Sequence, residues 1–235
     1  MSSPLSGRVV AVVGASGGLG SALSRQLAEA GAHLVLAGRR LDRLEAVGVR
    51  GAVCVQLDVR DPGAGDHLVE AVAGSHGRLD GVVDAAGVVA FGPLVDTDDL
   101  VVEELFLTNV VGPLWLLRRV VPLLEASRGF VVNLSAVVAE QPLPGMVAYA
   151  ASKAALTAAD RALARELRAR GIRVLDVRPP HTETGLAGRP IAGSAPRLAA
   201  GLDPAAVAAR IVAAIEAGER DLPSSAFDPR DGSAS

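Results

Sequence analysis

The chain of 235 residues is short of several residue types at once, and each shortage removes a class of protein. A single cysteine, Cys54, forms no internal disulfide, and with four histidines it makes no cluster of metal-ligand spacing, so no metal is expected. Aromatic residues are 3% of the total, which leaves the core to Ala, Val and Leu. Basic residues do not exceed acidic ones, 23 against 26, so no basic stripe is available for a phosphate backbone and no nucleic-acid partner is expected. No unbroken apolar run reaches the roughly 18 to 20 residues of a membrane span. The first residues show no basic segment followed by an apolar stretch, and the expectation is a soluble, cytoplasmic protein with no membrane partner. Lysine and tyrosine are scarcest of all: of 23 basic residues only Lys153 is a lysine, and Tyr149 is the one tyrosine.

What is present is a repeated switch between short apolar runs and longer amphipathic ones, the pattern of βαβ units feeding a parallel sheet. Strands are predicted at 8–13, 33–37, 52–57, 81–84, 130–134 and 173–177, and helices at 19–30, 66–73, 100–125 and 147–169. Near-continuous apolar strands imply helices on both faces, hence an α/β single-domain doubly wound parallel sheet, a Rossmann fold, over residues 1–226. Residues 178–202 hold four prolines and four glycines, which predicts a substrate loop or lid with at most a short helix. Asp203 and Pro204 then open a last helix to about Ala217, as N-cap and first helical residue. Residues 227–235 read as a disordered tail.

The first strand runs into Gly14-Ala15-Ser16-Gly17-Gly18-Leu19-Gly20 and a helix. Glycines there allow a tight turn and close approach of backbone N–H groups, and the helix N-terminus favours negative charge. Gly14, Ser16, Gly18, Leu19 and Gly20 are therefore candidates to hold a dinucleotide pyrophosphate, against the plainer reading of an ordinary turn in a glycine-rich chain. The second strand ends Gly38-Arg39-Arg40, with no carboxylate between Glu29 and Asp42. The missing acid removes repulsion against a 2′-phosphate and two guanidiniums supply hydrogen bonds to it, favouring NADP over NAD. Read otherwise, Arg39 and Arg40 are a solvated helix start.

Tyr149 and Lys153 stand four apart in a helical pattern, which puts phenol and ammonium on one face. A free phenol has a pKa near ~10, and a neighbouring cation is expected to move it toward acid/base use. That the only tyrosine and only lysine meet at this spacing, downstream of a glycine-rich turn, lifts the pair above chance.

With these motifs in order, the sequence resembles the short-chain dehydrogenase/reductase family from Arg8 to about Ala217. Gly14, Gly18 and Gly20 match its TGxxxGxG, with Val13 in place of the leading Thr. By the resemblance, Asp58 and Val59 hold the adenine and Asn109 supports a proton-relay water. Ala86 and Gly87 border the cofactor, while Pro179, Thr182 and Thr184 cradle the nicotinamide end. Tyr149 is implied as general acid/base and Lys153 as the ribose-binding residue that lowers the phenol's pKa. The resemblance also implies NADP(H) as cofactor, a small carbonyl or alcohol substrate, and a homodimer or homotetramer built on the two long helices after the fourth and fifth strands.

Two departures stand out. The family's NNAG reads Asp84-Ala85-Ala86-Gly87, and the place of the carbonyl-polarising serine is taken by Ala136, with Ser135 one residue earlier. Strand alternation points Ser135 away from Tyr149 unless the chain bends, so the donor is Ser135 through a bend, Gln141, His181 or Thr182. The substrate-facing residues are sought in 178–202, Phe91, Gly92 and 141–146. An alternative class stays open: a non-catalytic NADP-binding sensor or partner subunit on the same fold.

Overall fold

The computed structural model describes residues 3–228. Seven parallel strands lie in the order β3-β2-β1-β4-β5-β6-β7. They are β1 (Val9–Val13), β2 (His33–Gly38), β3 (Val53–Gln56), β4 (Gly81–Asp84), β5 (Phe130–Leu134), β6 (Arg173–Val177) and β7 (Asp221–Leu222). The chain winds outward one way through β2 and β3, then returns to β4 and winds the other way. The ends of β1 and β4 thus flank the point where strand order reverses, where α/β sheets place their ligands.

The first six strands match the sequence reading to within a residue, because each is a short apolar run, buried on both faces in all but the half-buried edge strand β3. One face is covered by α1 (Gly18–Glu29) and α7 (Pro204–Ala217), which pack Leu23, Leu27, Val207 and Ile211 onto Val10, Val12, Leu34 and Val132. The helix α2 (Leu41–Glu45) is a short turn after β2 and was not predicted. On the other face lie α3 (Ala64–Ser75), α5 (Gly112–Ser127) and α6 (Val147–Leu167), with Leu68, Leu116, Val120 and Leu167 against Ala11, Val82 and Val131.

The single helix expected over 100–125 is instead α4 (Asp99–Phe106), a π-turn at Leu107–Val111, and α5. Pro113 is the local cause: it has no N–H to give to the carbonyl of Asn109, four residues back, and the ladder widens around that gap. By length and composition, the stretch Asp99–Ser127 is apolar enough to cross a bilayer, a qualification of the reading from unbroken runs; 44% of its most apolar window is buried within the protein.

Asp203 caps α7 by accepting the Ala206 N–H at 3.3 Å, and Gly218, at φ 73°, ends it. Residues 178–202 contain no helix; an isolated bridge pairs Thr182 with Leu202, and the Ile191 and Phe91 N–H groups bond to Val89 and Ala192 carbonyls at 2.9 and 3.0 Å. Phe227 is not part of a loose tail: it ends a 3₁₀ turn (Ser224–Phe227) with its ring buried in the core. The rest of the predicted tail, from 229 on, lies outside the described residues.

Candidate active site

One cavity of about 820 Å³ opens at the C-terminal ends of the strands. Its wall includes Gly14, Ser16, Gly18, Leu19, Gly20, Arg39, Arg40, Asp58, Val59, Ala86, Gly87, Ser135, Tyr149, Lys153, Pro179, Thr182 and Thr184. Of the residues expected from sequence to hold the cofactor or carry the chemistry, Asn109 is missing from that wall; of the alternative donors and substrate-facing residues, Gln141 and Gly92 are missing too.

The glycine-rich turn is built for close approach. Gly14 has φ 72°, and a Cβ there would stand 2.6 Å from the backbone nitrogen of Ala86, so β1 and β4 can close over this point only with glycine. A Cβ on Gly18 would likewise meet Thr184 at 2.6 Å, which seats the loop after β6 on the start of α1. No side chain caps α1 at Gly17, and its first-turn N–H groups have no intrahelical partner. These residues fit a pyrophosphate.

At the adenine end the charges pair among themselves. Arg60 binds both oxygens of Asp58 and both of Glu104, at 2.6–3.1 Å, and holds Asp58 below the usual carboxylate range. Glu104 and Arg60 were not anticipated; no pattern links residues 44 apart across β3 and α4. Arg40 is tied to Asp42 through Nη2 at 2.5 Å and Nε at 3.1 Å, so Asp42 folds back over a guanidinium that was reserved for a phosphate. Arg39 and Arg43 stand on the same rim.

At the chemical end, Tyr149 and Lys153 are both buried on α6. The Lys153 ammonium donates to the Leu134 carbonyl at 2.8 Å. Burial pushes the phenol up to about 12, opposite to the lowering expected from a lysine neighbour: Lys153 spends its charge elsewhere, and the phenol is held in its acid form. Lys153 itself is pushed down to about 8 by burial, opposed by the charges of Asp84, Asp160 and Asp176.

The Ser135 hydroxyl is bonded to α6. Beyond β5 the chain stays extended: Ser135 N–H bonds to the Val177 carbonyl at 2.8 Å, Val137 N–H to that of Pro179 at 3.0 Å, and Ala136 has φ −170°. There is no bend, and alternation turns the Ser135 hydroxyl to α6, where it donates to the Lys153 carbonyl at 2.8 Å and accepts from Thr157 at 3.0 Å. Gln141 is not on the cavity wall, whereas His181 and Thr182 are. The Thr182 hydroxyl donates to the Pro180 carbonyl at 2.9 Å, and His181 lies 3.4 Å from Glu183.

The side chain of Asn109 is fully buried and committed to structure. It accepts the Val88 N–H at 2.9 Å and donates to the Val88 carbonyl and the Ser152 hydroxyl, both at 3.0 Å. Ser152 in turn donates to the Tyr149 carbonyl at 2.8 Å, so the π-turn clamps both the segment after β4 and the start of α6.

A doubly wound parallel sheet, with a glycine turn over its switch point and a buried Tyr–Lys pair in the same cavity, defines an oxidoreductase class of the Rossmann type. Within it, the chain belongs to the short chain dehydrogenase family, whose pattern matches residues 8–192. Among relatives, it is 37% identical over 193 residues to the glycine betaine reductase of Emericella nidulans, covering 79% of this chain but 15% of that protein. A short chain dehydrogenase of Pseudocercospora fijiensis is 34% identical over 192 residues, 77% of this chain and 62% of that one. The chain thus spans less than two thirds of the length of these two relatives. An uncharacterized oxidoreductase of Staphylococcus epidermidis is 32% identical, covering 75% of this chain and 79% of its own length. Among solved structures, a short-chain dehydrogenase of Streptomyces avermitilis superposes with TM-score 0.83 at 30% identity, over 97% of this chain and 92% of that one. One from Burkholderia cenocepacia in complex with NADP superposes with TM-score 0.82 at 24% identity, over 97% and 93%.

Proposed function

We propose that the protein is an NADP-dependent oxidoreductase interconverting a carbonyl and an alcohol in a small, mainly apolar substrate, with Tyr149 as general acid/base. The observation that carries this reading is the shared cavity: the glycine turn at one end, the buried Tyr149–Lys153 pair at the other. When bound, the nicotinamide supplies or takes the hydride. Gly14, Gly18 and Leu19 would hold the pyrophosphate, Arg39 and Arg43 a 2′-phosphate, and Lys153 the ribose.

In the reductive direction Tyr149 gives its proton to the carbonyl oxygen, a role suited to a phenol kept protonated by burial. Phe91, Met146, Leu186 and Ile191 line the same cavity and exclude water from the transfer. Leu114, exposed on α5, and Leu100, exposed on α4, support a dimer or tetramer on these helices. The test is NADPH oxidation across a panel of aliphatic and aromatic carbonyls, with Tyr149→Phe as control. A turnover that Tyr149→Phe lowers by roughly 10²-fold or more supports the reading; turnover indifferent to it refutes the role of the phenol.

A second reading, a non-catalytic NADP-binding sensor, is favoured by one observation: Ala136 offers no donor, and the neighbouring hydroxyl is committed to α6. NADPH binding with no turnover on any carbonyl would establish it.

A further inference from the structure

Beneath the site lies a polar layer of which the proposed chemistry uses only Lys153. Parallel strands covered on both faces are ordinarily apolar throughout, yet the row crossing β4, β5 and β6 in register reads Asp84, Asn133, Asp176. Against it α6 sets Lys153, Thr157 and Asp160, and all six side chains are buried.

Most of these groups are satisfied. Asp176 pairs with Arg178, which also reaches Glu140 and Asp221, and it meets the Thr157 hydroxyl at 3.3 Å. Asp84 accepts the Ala86 N–H at 3.0 Å. Asp160 differs: one oxygen accepts the Asn133 amide, while Asp160 Oδ2 and Asn133 Oδ1 are both buried without a partner. An ionised carboxylate and an amide oxygen only accept, so both would be orphaned at a cost. One proton on Oδ2 supplies the missing donor and turns the pair into an acid–amide couple.

The charges around it agree. Burial pushes Asp160 up to about 8; Asp176 and Asp84 add to the push, while the Asn133 bond and Lys153 oppose it. Lys153, two turns earlier on the same helix, is pushed by burial to about the same value from above. An acid and a base that titrate together share one proton count.

We propose that Asp160 is a positioning residue for Lys153: under neutral conditions it is a neutral acid coupled to Asn133, and as the pH rises it ionises and supplies the anion that keeps the Lys153 ammonium charged. The role toward Lys153 rests on the function proposed above; the proton on Asp160 does not.

Two readouts on the whole chain test it. In the cofactor-free protein, a carboxyl whose folded value lies above its unfolded one loses stability as pH rises between the two. Asp160→Asn keeps a donor for Asn133 and cannot ionise, so its melting point should stay near the wild type's at about pH 4–5 and exceed it by a margin that grows to about pH 8. A constant offset across that range overturns the proposal. Should Asp160→Asn fail to fold, carboxyl-labelled aspartate NMR of the wild type decides: a resonance titrating above about pH 7 is expected, and its absence overturns the proposal.

The second readout is NADPH binding by fluorescence against pH. Its alkaline weakening should begin about one pH unit, tenfold in proton concentration, lower in Asp160→Asn than in wild type. Superimposable profiles overturn the coupling to Lys153. A wild type that binds no NADPH overturns the proposed function and the coupling with it, while the melting curves still read the proton on Asp160.

Discussion

Ala136 and Ser135 are neighbours with different tasks. The first lines the cavity with a methyl group, and the second hydrogen-bonds the backbone of α6. Restoring a hydroxyl by Ala136→Ser should raise the turnover of simple carbonyls, by up to ~10²-fold where an oxyanion donor was lacking, as steady-state NADPH oxidation would show. Ser135→Ala should do the reverse of what a catalytic serine predicts: kcat nearly unchanged, and a stability loss of about 1 kcal/mol in urea titrations, since the bonds of the hydroxyl to the Lys153 carbonyl and to Thr157 go, while Thr157 keeps Asp176 as acceptor. The Tyr149–Lys153 pair was legible because each residue is unique in the chain. The fate of Ser135 was legible only as far as strand parity, since its partners come from α6, eighteen and more residues away. The pairing of Arg40 with Asp42 was hidden for a different reason: it depends on a one-turn helix too short to show a period.

At the scale of elements, strands were readable wherever burial on both faces makes an unbroken apolar run. The two-residue β7 and the five-residue α2 fell below the length at which periodicity speaks. The long helix was seen but not its π-turn, because a single missing N–H at Pro113 leaves the apolar pattern on either side intact. Breakers in 178–202 revealed a loop, though not where it docks. That docking turns on Gly193, at φ 72°, where a Cβ would collide with the Phe91 carbonyl oxygen. Gly193→Ala should detach this stretch and raise KM for the carbonyl substrate several-fold, while NADPH affinity, set mainly at the glycine turn, should change less; KM and fluorescence titration measured on one preparation would separate the two.

For the molecule as a whole, the cofactor site joins parts far apart in sequence: the first turn, the rim after β2, the end of β4 and the loop after β6. A ligand touching all of them binds only the folded chain. At 100 times its Kd, NADPH should therefore stabilise the protein by about 2.7 kcal/mol, visible as a concentration-dependent Tm, and Arg39→Ala with Arg43→Ala should shrink that shift for NADPH more than for NADH. The lone tyrosine has a last consequence, which is spectroscopic. The ultraviolet absorbance of a phenolate lies to the red of that of a phenol, and every such signal from this protein comes from Tyr149. At about pH 10, where a free tyrosine is half ionised, the band should be nearly absent. Any cofactor or substrate that alters the ionisation of this one group will announce itself in an unlabelled, unmutated chain, with no other chromophore of its kind to subtract.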